Sequence, residues 1–98
     1  MRFGQVVELR TSRIGELDAY FDAWMARTEG QRVPHHVQVQ RDRDTDGRYQ
    51  LVVEFDSYEV GMANSARPQT AEFAAFLASI CAGPLTFRNL DVLREEQL

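Results

Sequence analysis

Residues 49–59 read Y-Q-L-V-V-E-F-D-S-Y-E, and this stretch joins two different hydrophobic periods. Every second residue from Tyr49 to Phe55 is apolar, which predicts a β-strand with one buried face. Ser57 can cap a following helix, whose apolar residues recur at helical spacing as far as Cys81. A strand that runs directly into a helix is the first part of a β-α-β unit, so the neighbouring patterns decide the fold.

The same order of patterns occurs earlier in the chain, and a last strand follows the second helix. The remaining segments are an alternating run at 3–9, a helical stripe at 14–25, and alternating runs at 33–40 and 85–92. Two successive β-α-β units predict a ferredoxin-like α+β sandwich, with a four-stranded antiparallel sheet and two helices on one face. We expect residues 1–98 to form a single domain.

The second helical region is interrupted by the stretch N-S-A-R-P at 64–68. Proline disfavours helical geometry at the residue before it, so Pro68 should break the helix at Arg67. The sequence therefore predicts a short helix, a kink or loop, and a second helix that starts near Gln69 or Thr70.

Composition excludes several classes of protein. The 98 residues carry a formal net charge of −4, which argues against a partner such as nucleic acid or an anionic membrane surface. A single cysteine, Cys81, excludes an internal disulfide framework. No apolar run approaches the length of a membrane span, and no signal peptide is evident, so we expect a cytoplasmic protein.

The sheet face that points away from the helices has a mixed character. Its residues are Val6, Glu8, His36, Gln38, Val52, Glu54, Arg88, Leu90 and Val92. A solvated face would be more uniformly polar, and a core more uniformly apolar, so the mixture suits an interface. The usual strand order, 4-1-3-2, would place Glu8 between Glu54 and Arg88. We therefore expect a homodimer in which two such faces meet.

The pattern resembles the dimeric α/β-barrel superfamily, which includes the antibiotic-biosynthesis-monooxygenase-like proteins. The resemblance rests on the strand–helix order, on the junction F-D-S-Y-E at 55–59 and on the broken helix at 63–68. It implies that two sheets close a barrel and that a small-molecule cavity lies between each sheet and its helices. Members that oxygenate aromatic polyketides without a cofactor use Asn, Trp and Tyr, whereas haem-degrading members use Asn, Trp and His. Neither set carries over whole, because the one tryptophan, Trp24, is in the first helix.

Three residues are candidates for catalysis. His35 could act as a general acid or base, since imidazole titrates near neutral pH, but it could equally be a hydrogen-bonded histidine at the edge of the core. Asn64 could orient a carbonyl or hydroxyl group, although turns favour asparagine in any case. Tyr58 is a candidate partner for His35. His36 points to the opposite sheet face, so the adjacent histidines cannot share a metal ion, and no metal or cofactor is expected.

Five further residues are candidates for ligand binding: Trp24, Tyr20, Arg67, Phe73 and Gln5. The aromatic members could line a pocket for a small aromatic ligand, or they could simply fill the core. Arg67 could attract a carboxylate or phenolate. The leading hypothesis is a small-molecule-binding homodimer, with activity as a cofactor-independent monooxygenase or cyclase on aromatic or polyketide-like compounds. A non-enzymatic dimerising accessory or stress-type protein is the alternative, and haem binding is a third option.

Overall fold

A computed structural model describes residues 2–34 and 36–98 of the chain. The elements in order are strand β1 (Phe3–Arg10), helix α1 (Ile14–Arg27), strands β2 (His36–Arg41) and β3 (Arg48–Phe55), helices α2 (Tyr58–Ser65) and α3 (Pro68–Ile80), and strand β4 (Thr86–Asp91). This order confirms the doubled β-α-β pattern, with the second helical region divided in two.

The four strands form one antiparallel sheet in the order β2-β3-β1-β4. Val7 at the centre lies opposite Leu51 on one side and Phe87 on the other. The predicted ferredoxin-like α+β fold and its strand order are therefore confirmed.

The core lies between this sheet and the helices. Its most buried large side chains are Phe3, Leu9, Leu17 and Phe55. Each of the three strand residues occupies an odd-numbered position, as expected when every second side chain of a strand points to the same face. The odd-numbered positions therefore face the helices, and the even-numbered ones face the other way.

The helix break occurs where proline was expected to cause it. Helix α2 ends at Ser65 and helix α3 begins with Pro68, while Arg67 between them has an extended backbone. The Arg67 guanidinium Nη1 donates a hydrogen bond of 2.9 Å to the carbonyl oxygen of Gln31. This bond joins the break to the loop after α1.

A side chain caps α2 but not α1. The Ser57 hydroxyl accepts from the N–H of Val60 and caps α2, as predicted. The residue before α1 is Arg13, which makes no side-chain cap. Thr11 instead accepts from the Arg13 N–H and donates to the carbonyl of Ile80, so its buried hydroxyl ties β1 to the end of α3.

The second sheet face carries an ion-pair cluster whose membership differs from the expectation. Glu8 accepts from Arg88 at 2.6 Å and lies 3.5 Å from Arg48. Glu54 does not join them. It lies opposite Gly4, two rows further along the sheet, and its carboxylate is 3.8 Å from the guanidinium of Arg2. The register, which the strand order alone does not determine, separates the two carboxylates.

Candidate functional site

A cavity of about 350 Å³ lies between the sheet and the helices. Its lining residues are Gln5, Val7, Phe21, Trp24, Met25, Arg32, Pro34, His36, Val37, Leu51, Val53, Phe55, Asn64, Thr70, Phe73, Ala74, Leu77 and Phe87. Most of these are apolar, and the polar ones are few. This volume and composition are typical of pockets that bind small organic molecules.

An aromatic cluster from α1 and α3 forms one wall of the cavity. The ring of Phe73 meets the ring of Trp24 edge-on at 5.5 Å and the ring of Phe21 edge-on at 5.9 Å. Phe21 and Trp24 lie 5.7 Å apart in a tilted arrangement. Edge-to-face contacts of this kind are favourable and fix ring orientation, so the wall is rigid.

Trp24 presents an unusual polar group. Its indole nitrogen Nε1 is buried and has no hydrogen-bond partner among the residues that the structure describes. Leaving a buried donor unpaired costs about 1–3 kcal/mol, and buried tryptophan N–H groups usually find a partner. An oxygen of a bound ligand could accept this hydrogen bond.

Asn64 lies at the helix break and lines the cavity. Its backbone carbonyl accepts from the Thr70 hydroxyl at 2.7 Å and from the N–H of Arg67 at 3.1 Å, so its position is well determined. Its side-chain amide forms no hydrogen bond within the described part of the chain, and it therefore has both donors and an acceptor to offer.

Gln5 is the polar residue on the sheet floor. It belongs to central strand β1, and its Nε2 donates to Oδ1 of Asn89 on β4 at 3.2 Å. This contact holds the Gln5 amide in one orientation and leaves its carbonyl oxygen as an acceptor towards the cavity.

The cavity has a polar end and an apolar end. A second, much smaller recess adjoins it, and five residues line both spaces: Trp24, Arg32, Pro34, Asn64 and Thr70. We call these five residues the polar end; it lies beside the helix break. The apolar end is formed by residues such as Val7, Leu51 and Leu77.

The structure brings together some of the predicted site residues and separates others. Gln5, Trp24, Asn64 and Phe73 line the cavity. Arg67 lines only the neighbouring recesses, together with Asn64.

The two candidate tyrosines lie outside the cavity lining. Tyr20 stacks on Phe76 at 4.0 Å, and Tyr58 is 51% exposed with its ring edge-on to Phe3. His35 lies outside the described residues.

Sequence reasoning did not name Met25, Arg32 or Phe87 as site residues, although they line the cavity. His36, which alternation directs to the opposite sheet face, also lines it. Phe87 faces the helices as its alternation predicts, but it is 52% exposed at the edge of the sheet. Arg32 follows α1 in a segment without hydrophobic periodicity, where the sequence carries no signal for its position.

The described residues contain neither a metal-binding cluster nor a membrane-spanning helix. Within 2–34 and 36–98 there is no group of three or more His, Cys, Asp or Glu residues that could hold a metal ion. No helix within these ranges is long and apolar enough to cross a membrane.

Several solved structures share this fold over nearly the whole length of the chain. A candidate antibiotic biosynthesis monooxygenase from Caulobacter crescentus superposes with a TM-score of 0.77 at 17% identity, covering 95% of this chain and 91% of its own. Rv0793 from Mycobacterium tuberculosis gives a TM-score of 0.75 at 15% identity, covering 99% of this chain and 100% of its own. SnoaB, a cofactor-independent oxygenase from Streptomyces nogalater, gives 0.76 at 15% identity, covering 96% and 95%.

The fold is that of the antibiotic-biosynthesis-monooxygenase-like proteins. The resemblance predicted from the sequence is thus confirmed at the level of the fold. No protein-family model matches the chain, and no curated protein matches it in sequence. At such low identities the likeness concerns architecture, and chemistry has to be argued from the cavity itself.

Proposed function

We propose that this protein binds a flat, largely aromatic small molecule in the cavity between sheet and helices. The observation that carries the proposal is a cavity of about 350 Å³ with mainly apolar walls, lined by Trp24, whose buried Nε1 donor is unpaired among the described residues. Apolar walls favour a hydrophobic ring system, and a few fixed polar groups would orient it. A ligand oxygen that accepts from Trp24 would remove the penalty of the unpaired donor.

The proposed reaction is cofactor-independent oxygenation of a phenolic, polyketide-like compound, and the likeness to SnoaB, a cofactor-independent oxygenase, supports it. In such a reaction an electron-rich CH₂ carbon of the ring loses both hydrogens, one atom of O₂ becomes its carbonyl oxygen, and the other atom leaves with the two hydrogens as water. The protein's contribution would be to hold the substrate as its anion. Asn64 would orient the substrate oxygen, and His35 would accept the proton.

In this proposal Trp24, rather than Tyr58, is the second residue that orients the substrate, together with Asn64. Tyr58 packs against Phe3 and is half exposed, whereas the Trp24 side chain lines the cavity and its N–H is buried without a partner among the described residues. Hydrogen bonds to a developing oxyanion in a site that excludes water are a large source of rate enhancement.

Pairing of two copies is also part of the proposal. The second sheet face exposes Leu90 (49%) beside the Glu8–Arg88 ion pair. A second copy would bury the aliphatic side chains and complete the contacts of the charged ones. The fold of the structural neighbours supports this arrangement, in which two sheets would close a barrel.

Trp24 also provides the direct test of binding, because it is the only tryptophan in the chain. Titration with a hydroxylated anthrone should change the intrinsic fluorescence, and a Trp24-independent method such as calorimetry should give the same dissociation constant. Oxygen consumption and quinone formation, measured without added metal or cofactor, then test the reaction. Alanine at Asn64 should lower turnover by about a hundredfold, the lower end of the scale for one lost oxyanion contact.

A non-enzymatic accessory role is the second candidate. The position of Tyr58 outside the cavity lining favours it, because Tyr58 was one of the three candidates for catalysis. This candidate predicts binding without turnover. Fluorescence and calorimetric binding with no oxygen consumption across a panel of phenolic substrates would favour it over the oxygenase.

A further inference from the structure

We infer that the ligand carries a carboxylate, and that Arg32 binds this group at the polar end of the cavity. The inference rests on the proposed small-molecule-binding function and adds the chemical class of the ligand. Its starting point is the position of Arg32, which lines both the main cavity and the adjoining recess.

Arg32 has no carboxylate partner among the residues that the structure describes. Other arginines around the fold, such as Arg13 and Arg88, pair with glutamates. The contacts of Arg32 are both to Met25, at 3.3 Å to the carbonyl oxygen and 2.9 Å to the sulfur. Arg32 is itself exposed to solvent, and a cation that lines a cavity and is held only by uncharged groups attracts an anion there.

The geometry of the guanidinium favours a carboxylate in particular. Both contacts to Met25 use Nη1, so the opposite edge, formed by Nε and Nη2, is not engaged within the described part of the chain. Two parallel N–H groups on one edge match the two oxygens of a carboxylate. Nη1 meanwhile anchors the side chain, so less rotational freedom would be lost on binding.

Neighbouring groups would position the rest of the ligand. Trp24 and Asn64 belong to the same polar end and could each bond a further oxygen, such as a phenolic hydroxyl. The rings would then extend between Phe73 and the strand residues towards Leu51. A hydroxylated aromatic acid has this distribution of polar and apolar surface.

The test compares two probes of the same shape, 2-naphthoate and its uncharged amide, 2-naphthamide, by calorimetry at neutral pH. We expect the carboxylate to bind on the order of tenfold more tightly, which is the scale of a charge-assisted hydrogen bond. Added salt should weaken the binding of naphthoate and leave that of naphthamide unchanged.

Three variants test whether Arg32 causes the preference for naphthoate over naphthamide. Arg32→Gln should abolish the preference for naphthoate, measured as the ratio of the two affinities. Arg32→Lys keeps the charge without the paired donors and should retain part of the preference. Arg43→Gln is the matched control, because Arg43 is exposed in the turn between β2 and β3, away from the cavity lining; it should bind as the wild type does. Circular dichroism checks that each variant is folded.

The outcomes distinguish a failure of the carboxylate assignment from a failure of the proposed small-molecule binding. Equal affinity of the wild-type protein for both probes would overturn the carboxylate assignment and leave small-molecule binding intact. A preference that survives in Arg32→Gln would overturn the role of Arg32. If neither these probes nor the anthrone bound, the proposed function would fail and this inference with it.

Discussion

Gly61 in α2 lies directly against the ring of Phe3 in β1. A Cβ atom placed on Gly61 would be 2.7 Å from Cδ2 of Phe3 and 3.3 Å from Cδ2 of Phe55. Glycine is normally unfavourable inside a helix, by about 1 kcal/mol relative to alanine. Here it allows the helix backbone to approach the sheet more closely than any side chain would permit.

The first prediction concerns this contact. Gly61→Ala should lower the free energy of unfolding by about 1–3 kcal/mol, because Phe3 is fully buried and has little room to move. Gly15→Ala is the control, since a Cβ at Gly15 in α1 would meet nothing within 4 Å. That variant should gain up to about 1 kcal/mol from helix propensity. Urea denaturation measures both, and equal effects of the same sign would show that the close approach is absent.

The second prediction concerns the indole donor. Trp24→Phe removes the unpaired N–H together with part of the ring. The lost ring contacts lower the free energy of unfolding, whereas removal of the buried unpaired donor raises it, so the two effects partly cancel. The free energy of unfolding should change by less than about 1 kcal/mol, whereas affinity for the anthrone should fall about five- to tenfold. Thermal denaturation and calorimetry measure the two quantities. Unchanged affinity would show that the N–H does not contact the ligand.

The third prediction concerns the second sheet face. Leu90→Glu places a charge among the exposed aliphatic side chains of that face and should convert a dimer into an 11.3 kDa monomer. Leu93→Glu is the control, because Leu93 is 85% exposed and lies beyond the end of β4. Light scattering at several protein concentrations measures the mass. A wild-type protein that stays monomeric at every concentration would refute pairing through this face.

The fourth prediction follows from Cys81, which packs against the core after α3. Burial raises the pKa of its thiol, and a backbone hydrogen bond from Arg10 offsets only part of this effect. The folded protein therefore holds the thiol proton more tightly than the unfolded chain does. The resulting stabilisation is present below the unfolded-state pKa and is lost as pH rises through the raised value.

Alkylation measures this shift directly. The rate of reaction of Cys81 with iodoacetamide should reach its half-maximum at a higher pH in the folded protein than in urea. The midpoint of the pH profile is the relevant quantity, because restricted access lowers the rate at every pH. Coincident midpoints in the two states would mean that the thiol is solvated as it would be in a peptide.

Part of the site was predictable from the sequence. Trp24 and Phe73 belong to helical stripes, and Gln5 interrupts the apolar alternation of β1, so periodicity alone directs all three to the interior. The proline break in the second helical region indicated that Asn64, close to this break, would lie at the cavity. Tyr58 follows no such rule, because it stands at the first position of α2, where the direction of the helix axis decides which way it points.

The sequence by itself determined the order of strands and helices, the antiparallel sheet and the break before Pro68, because these depend on local periodicity and on the backbone restriction that proline imposes. Only the tertiary structure decided that Arg48 joins Glu8 and Arg88 while Glu54 lies apart beside Arg2, and that Arg32 lies beside Met25 at the cavity wall. Strand register and loop placement result from packing between segments distant in sequence, and no local pattern records them.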